Sequence, residues 1–191
     1  MNKIIGILGM QGAIAEHQEI LLQIPHTKTR IVKTAKDLDC IDGLILPGGE
    51  STAIGKLLDY FSLKEILRQK IISGLPVFGT CAGLILLAKN IENQTNTHLA
   101  TMDITVKRNG YGSQLDSFST NLLIPTIDKN MPIPLVFIRA PYITKTGKDV
   151  QILATLDNKI IAARQKNMLV SSFHPELTND LRFHQYFLSM I

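Results

Sequence analysis

A chain of 191 residues, 45% hydrophobic and 19% charged, is too apolar for disorder and long enough to bury one domain's core. No apolar run reaches the ~18 residues of a membrane-spanning helix, and the apolar stretch near the N-terminus lacks the length and flanks of a signal peptide; a cytoplasmic protein with no membrane association is expected. The formal charge of +4 comes from Lys and Arg scattered singly or in pairs among acids, and with no Trp and only 6% aromatics, nucleic acid is not an expected partner.

Residues 3–8 form a short apolar strand closed by Gly9, and the spacing of Ile14, His17, Leu21 and Leu22 predicts a helix over 13–24. Residues 28–33 and 43–46 read as strands, the second almost purely aliphatic and stopped by Pro47-Gly48-Gly49. Ile54, Leu57, Leu58 and Phe61 make a helix face, and residues 63–72 repeat the pattern through Leu67 and Ile71. A strand over 76–79 and a helix over 82–88 follow. Strands without polar alternation, separated by amphipathic helices, indicate a parallel sheet covered on both faces. The second half changes character, with strands expected at 102–108, 118–124, 135–138, 150–156, 159–164 and 168–173. Residues 156–159 resemble a tight hairpin without its usual glycine, and a helix over 179–190 closes the chain. With no repeat, low-complexity tract or linker, residues 1–191 are expected to form one α/β domain, with a mostly parallel central sheet and an antiparallel portion in the C-terminal half.

Three loops carry chemistry. Gly79-Thr80-Cys81-Ala82-Gly83 lies between a predicted strand and a predicted helix, where Gly-x-nucleophile-x-Gly makes an elbow too sharp for flanking side chains. The elbow lifts a thiol above the sheet edge at a helix N-terminus, where a thiolate is favoured. The bland alternative is a small buried Cys in a Gly-rich turn. Ser172-Phe173-His174-Pro175-Glu176 ends the last strand, and in extended backbone His174 and Glu176 project to the same face, so the carboxylate can fix the imidazole tautomer. Its alternative is a solvated strand end, but an elbow thiol needs a base, and no other His has a carboxylate so arranged. His17 and His184, within predicted helices, and His26 and His98, in loops, read as structural or surface residues. In Leu46-Pro47-Gly48-Gly49-Glu50-Ser51, paired glycines after a buried strand can present N–H groups to an anion, while Glu50 and Ser51 also suit ordinary helix capping. Neither phosphate-loop pattern is present, and an oxyanion hole built from the Gly49 and Ala82 N–H groups fits better. Cys40 and Cys81 are expected as free thiols, and no metal-ligand spacing is evident.

With these loops the sequence resembles the class I glutamine amidotransferases, whose Cys-His-Glu triad sits on a flavodoxin-like three-layer sandwich with helices on both faces of the sheet. Six blocks narrow the likeness: Gly9-Met10-Gln11-Gly12-Ala13, Pro47-Gly48-Gly49-Glu50-Ser51-Thr52, Gly79-Thr80-Cys81-Ala82-Gly83, Arg108-Asn109-Gly110-Tyr111-Gly112, Phe137-Ile138-Arg139-Ala140-Pro141 and His174-Pro175-Glu176-Leu177-Thr178. In this order and from end to end they resemble the glutaminase subunits of pyridoxal 5′-phosphate synthases. Ile85 points to the same branch, since many other class I glutaminases carry Gln there.

The resemblance implies that Cys81 is the nucleophile, His174 the base and acid, and Glu176 its orienter. It implies that Gly48, Gly49, Glu50, Arg108, Ile138 and Arg139 contact glutamine, and that the Gln11 region senses the partner. The implied activity is hydrolysis of L-glutamine to glutamate and ammonia, with no cofactor. The implied partner is a (β/α)₈ synthase subunit, in a hetero-oligomeric complex, that joins the ammonia to a pentose phosphate and a triose phosphate to make the vitamin B6 coenzyme. Ser113 and Ser119 depart from the family pattern, which usually has Arg and an acid at these positions. Rival readings are a glutaminase subunit of another synthase, such as imidazole-glycerol-phosphate synthase, and a DJ-1-type cysteine hydrolase sharing the elbow and sheet.

Overall fold

The structure, a computed structural model, describes residues 2–110 and 117–191; Ser113 lies outside the described residues. Its first half alternates strand and helix: β1 (Lys3–Leu8), α1 (Ile14–Leu22), β2 (Thr27–Val32), a 3-10 helix (Ala35–Cys40), β3 (Gly43–Leu46), α2 (Ser51–Tyr60), α3 (Lys64–Ile72), β4 (Val77–Thr80) and α4 (Ala82–Leu87). Then come β5 (Ala88–Ile91), β6 (Met102–Lys107), β7 (Ser117–Leu122), β8 (Ile133–Ile138), β9 (Tyr142–Thr146), β10 (Gln151–Leu156), β11 (Lys159–Gln165), β12 (Met168–Ser171) and α5 (Arg182–Leu188).

The sheet runs β2-β1-β3-β4-β12-β11-β9-β6-β5, with β10 on β11, and β7 and β8 form a separate ribbon. From β2 to β12 every pairing is parallel, in the 2-1-3-4-5 order of a flavodoxin-like sheet with β12 as its fifth strand. Beyond β12 the pairings of β11 with β12, β9 and β10, and of β9 with β6, are antiparallel. The expected architecture is therefore present, and the parallel strands send their carboxyl ends to one edge.

Side-chain alternation along these strands feeds two cores. Leu44 and Leu46 of β3 pack with Ile54 and Leu58 of α2, Leu67 and Ile71 of α3, and Leu84 of α4. Ile45 turns the other way, joining Leu21 of α1, Phe78, Phe173, and Phe183 and Phe187 of α5. Every β3 and β4 residue is buried, which is why both strands lack polar alternation.

Several boundaries differ from the sequence reading. The apolar run from Ala82 stops being helical at Ala88, which turns extended (ψ 134°) and opens β5; helix spacing cannot show such a break in an all-apolar segment. Strand β9 and the 3-10 helix were not expected. The final helix starts at Arg182 rather than 179, because the Asp180 carboxylate accepts the Arg182 backbone N–H (2.9 Å) and its side chain. The hairpin at 156–159 forms without glycine: Asp157 (φ 48°) and Asn158 (φ 60°) both take the left-handed conformation that a type I′ turn requires.

Candidate active site

The elbow has the crowding its glycines imply. A Cβ on Gly79 would lie 2.6 Å from the carbonyl carbon of Gly83, and one on Gly83 would lie 2.1 Å from the carbonyl oxygen of Leu46. Between them Cys81 adopts φ 48°, ψ −98°, a conformation that costs a non-glycine residue on the order of 1–3 kcal/mol. The strain is held by the Cys81 N–H donating to Ser171 of β12 (2.8 Å) and by the buried helix α4 that follows. Cys81 is 8% exposed, so its side chain meets solvent only through the site, whereas the other thiol, Cys40, is exposed on the surface.

His174 and Glu176 meet as expected, but not by strand alternation. Strand β12 ends at Ser171, and Pro175–Leu177 form a 3-10 turn in which the Leu177 N–H bonds the His174 carbonyl (3.2 Å). The correction is local: proline at the first position pre-sets the turn, which folds Glu176 back so that Oε1 lies 2.7 Å from His174 Nδ1. The His174 backbone N–H is fixed to Val136 of β8 (2.8 Å). Ring and thiol converge over Gly48, where a Cβ would sit 2.4 Å from His174 Cε1 and 3.5 Å from Cys81 Cβ. Burial disfavours a charged ring here, yet hydrogen bonds to Cys81 and Glu176, together with their charges, raise the His174 pKa from 6.5 to about 10. Burial likewise opposes ionisation of Glu176, but His17 and His174 beside it hold its pKa below the usual carboxylate value. The arrangement thus favours an imidazolium at His174, between Cys81 and the Glu176 carboxylate.

The third loop closes one side of the site. Glu50 caps α2, accepting the N–H groups of Thr52 (3.0 Å) and Ala53 (2.6 Å), and is also paired with Arg108 (3.0 Å), which bonds Thr52 Oγ1 as well (3.1 Å). Burial would raise the Glu50 pKa, and those two N–H groups, Thr52 and Arg108 lower it instead. Capping and a site role are therefore compatible. Gln11 Oε1 accepts the Glu50 N–H (2.8 Å) and lies against Gly49, where a Cβ would be 2.6 Å away. Arg139 (φ 45°) and Asn109 (φ 47°), the residue after Arg108, are both left-handed, and their loops are joined by Gly110 N–H to Ala140 O (3.0 Å). One cavity of about 510 Å³ is lined by Gln11, Gly48, Gly49, Glu50, Cys81, Ala82, Arg108, Ile138, Arg139 and His174. Of the site residues expected from the sequence, Glu176 alone, behind the ring, is absent from its wall. The cavity lies outside the carboxyl ends of β1, β3, β4 and β12, the usual ligand crevice of such a sheet.

Three further residues belong to the site that the sequence reading did not place there. Of the two alternatives left open for His17 and His184, structural or surface, both take the first: they are fully buried, with His17 Nδ1 3.0 Å from His184 Nε2 and His17 Nε2 3.1 Å from Thr80 Oγ1 and 3.6 Å from Glu176 Oε2. Thr80 Oγ1 also accepts the Gly48 N–H (3.0 Å). Burial lowers the His17 pKa against the pull of Glu176, and burial and then His17 lower that of His184 to about 3, so both rings are neutral near pH 7. The available signal was His17 on the otherwise apolar face of α1, a polar side chain that must find partners inside.

A model of the SNO glutamine amidotransferase family matches residues 7–191. "Pyridoxal 5'-phosphate synthase subunit PdxT" of Ruminiclostridium cellulolyticum is 53% identical over 189 residues, covering 99% of this chain and 100% of the relative. The protein of the same name from Carboxydothermus hydrogenoformans is 54% identical over 187 residues, covering 98% and 97%. A solved structure described as a glutamine amidotransferase superposes with a TM-score of 0.89 at 39% identity, covering 97% of each chain. The chain belongs to the SNO glutamine amidotransferase family.

Proposed function

We propose that this chain is the glutaminase subunit of a pyridoxal 5′-phosphate synthase, hydrolysing L-glutamine to L-glutamate and ammonia and passing the ammonia to a synthase subunit. The observation that carries the reading is the strained Cys81 on its elbow, facing a His174 ring backed by Glu176 at 2.7 Å. Relatives at 53% and 54% identity that carry the synthase-subunit name favour this partner over imidazole-glycerol-phosphate synthase and over a DJ-1-type hydrolase.

The Cys81 thiolate attacks the side-chain amide carbon of glutamine. Backbone N–H groups of Gly49 and Ala82 receive the oxyanion, and losing one such donor typically costs ~10²–10³ in rate. His174, protonated at rest, gives its proton to the departing nitrogen, because an amide anion is too poor a leaving group. Ammonia leaves and a γ-glutamyl thioester remains. Water, deprotonated by His174, then releases glutamate and restores the thiolate–imidazolium pair. Glu50 and Arg108 on one rim and Ile138 and Arg139 on the other hold glutamine, and the charged pair suits its zwitterionic α-amino and α-carboxylate groups.

Ammonia free in water is protonated and ceases to be a nucleophile, so a sheltered route to the partner is required. Gln11, bonded to the loop that carries Gly49, is positioned to report docking of a (β/α)₈ synthase subunit to the oxyanion donor. A cytoplasmic complex follows from the same chemistry, which uses soluble phosphosugars. Glutamine hydrolysis measured with and without the synthase subunit tests this: weak activity alone and stimulation by the partner are expected, and Cys81→Ala should abolish hydrolysis while the protein stays folded. Hydrolysis retained in that variant, or full activity indifferent to the synthase, would overturn the assignment.

A further inference from the structure

We propose that His17 is a positioning residue of the triad, holding the second oxygen of Glu176 from α1 and, through Thr80, the Gly48 peptide of the oxyanion loop. The inference rests on the glutaminase reading of Cys81, His174 and Glu176. Glu176 Oε1 is engaged by His174, but Oε2 is buried and has no hydrogen-bond partner among the described residues. His17 Nε2 lies 3.6 Å from it. A buried carboxylate oxygen facing no donor is costly, so which His17 nitrogen carries the proton matters.

The surroundings decide the tautomer. A neutral His17 with its proton on Nδ1 would donate to His184 Nε2. His184 would then carry its own proton on Nδ1, a buried atom with no acceptor among the described residues. The alternative leaves a bare lone pair there and the Thr80 hydroxyl proton without an acceptor among the described residues: His184 Nε2–H donates to His17 Nδ1, and His17 Nε2–H donates to Thr80 Oγ1 while facing Glu176 Oε2 at 3.6 Å, beyond hydrogen-bond length. A bare lone pair and one unpaired hydroxyl proton together cost less than an unpaired N–H and a carboxylate oxygen turned toward a ring lone pair, which is the sum in the first tautomer. The chain therefore runs from His184 of α5 to His17 of α1, to Glu176, to His174.

Thr80 adds a second branch. Its Oγ1 accepts both the His17 Nε2–H and the Gly48 N–H, while the Gly48 carbonyl accepts the Ala13 N–H at the head of α1 (2.9 Å). The Gly48 peptide is held at both ends, and one buried ring orients the carboxylate and steadies the loop. The charged or titratable groups facing this arrangement are His174 and Glu176 on their turn, Glu16 and His17 on α1, and His184 on α5.

The test is glutaminase kinetics of the full chain with its synthase subunit, comparing wild type, His17→Phe and His17→Gln. Removing an orienting partner of an active-site group usually costs about 10–100-fold in activity, and we expect that loss in kcat for His17→Phe with KM for glutamine within about twofold. Without its donor Glu176 becomes easier to protonate, so the acidic limb of kcat/KM moves up by about one pH unit. Gln offers an N–H in the same place and should restore most of kcat and the limb. Wild-type kcat and an unmoved limb in His17→Phe, or equal losses in both variants with the limb unmoved, would assign His17 to packing alone. Imidazole ¹⁵N correlation spectra of the wild-type chain judge the network whatever the variants' stability: Nε2–H on neutral His17 and His184 is expected, and Nδ1–H on His17 overturns the proposal. Absence of hydrolysis in the wild-type complex would instead overturn the glutaminase reading.

Discussion

Glu176→Gln keeps the shape of the side chain and removes its charge, isolating what the carboxylate does for His174. The ring is 7% exposed, and its pKa of about 10, against 6.5 for a free histidine, corresponds to ~5 kcal/mol of preference for the imidazolium. Burial works against that preference; Cys81 and Glu176 produce it. With Gln in place, the Nδ1 contact at 2.7 Å can persist with the amide oxygen as acceptor, but the attraction between charges is gone. Cys81 still favours the imidazolium, but without the carboxylate His174 should hold its proton less firmly and deliver it less readily to the departing nitrogen. Removing the carboxylate of a comparable triad costs ~10⁴ in kcat, and a loss of 10³–10⁴ in kcat/KM is expected here, with KM changed little because Glu176 lies outside the cavity wall. Because the folded pKa is raised, the stability from this group is fully present below pH 6.5 and is lost as pH rises through about 10. The wild type should therefore weaken over that alkaline window and the variant should not. Steady-state hydrolysis, an NMR titration of the His174 ring, and urea unfolding at pH 7 and 10 read the three effects. Turnover within tenfold of wild type, with the His174 titration unmoved, would refute the reasoning.

Three other expectations use the same geometry. Cys81→Gly should be more stable than Cys81→Ala by about 1 kcal/mol, the relief of φ 48°, ψ −98° less the flexibility glycine adds to the unfolded chain; equal urea midpoints would mean that the elbow stores no strain. Gly48→Ala would place a methyl group 2.4 Å from His174 Cε1, forcing the ring or the loop aside, with at least ~10²-fold lower turnover; wild-type kinetics would show that ring and loop are not in contact. His184, neutral in the fold with a pKa of about 3, leaves the unfolded chain binding the extra proton between pH 6.5 and 3, so stability is lost as pH falls through that window by ~1.4 kcal/mol per unit. His184→Phe should remove that slope from the difference in unfolding free energy between pH 7 and 5, and an unchanged slope would contradict a buried neutral ring.

What could be read from the sequence, and what could not, follows from how each contact is made. Strands β1, β3 and β4 were legible because burial leaves short runs without polar alternation, and the elbow because Gly79 and Gly83 are needed at fixed offsets from Cys81. The His174–Glu176 pair was found although its backbone is a 3-10 turn, since two residues of separation bring the groups together in either geometry. Strand β5 was hidden because it begins where the apolar run of α4 ends and continues through the exposed Lys89 and Asn90, which carry no strand alternation.

His17 and His184 were hidden differently. They are 167 residues apart, on two helices at the ends of the chain, and nothing local distinguishes a core histidine that only packs from one that lies beside the Glu176 carboxylate. Parallel strand order explains the contrast. It brings the loops after β1, β3, β4 and β12 to one edge, so each loop motif can be read in its own segment and the topology joins them. Contacts beneath that edge come from α1 and α5, which share one face of the sheet and meet only after the chain has closed. A supporting layer assembled from the two ends of the chain writes no motif, and in this site it is the layer that determines how firmly the readable one is held.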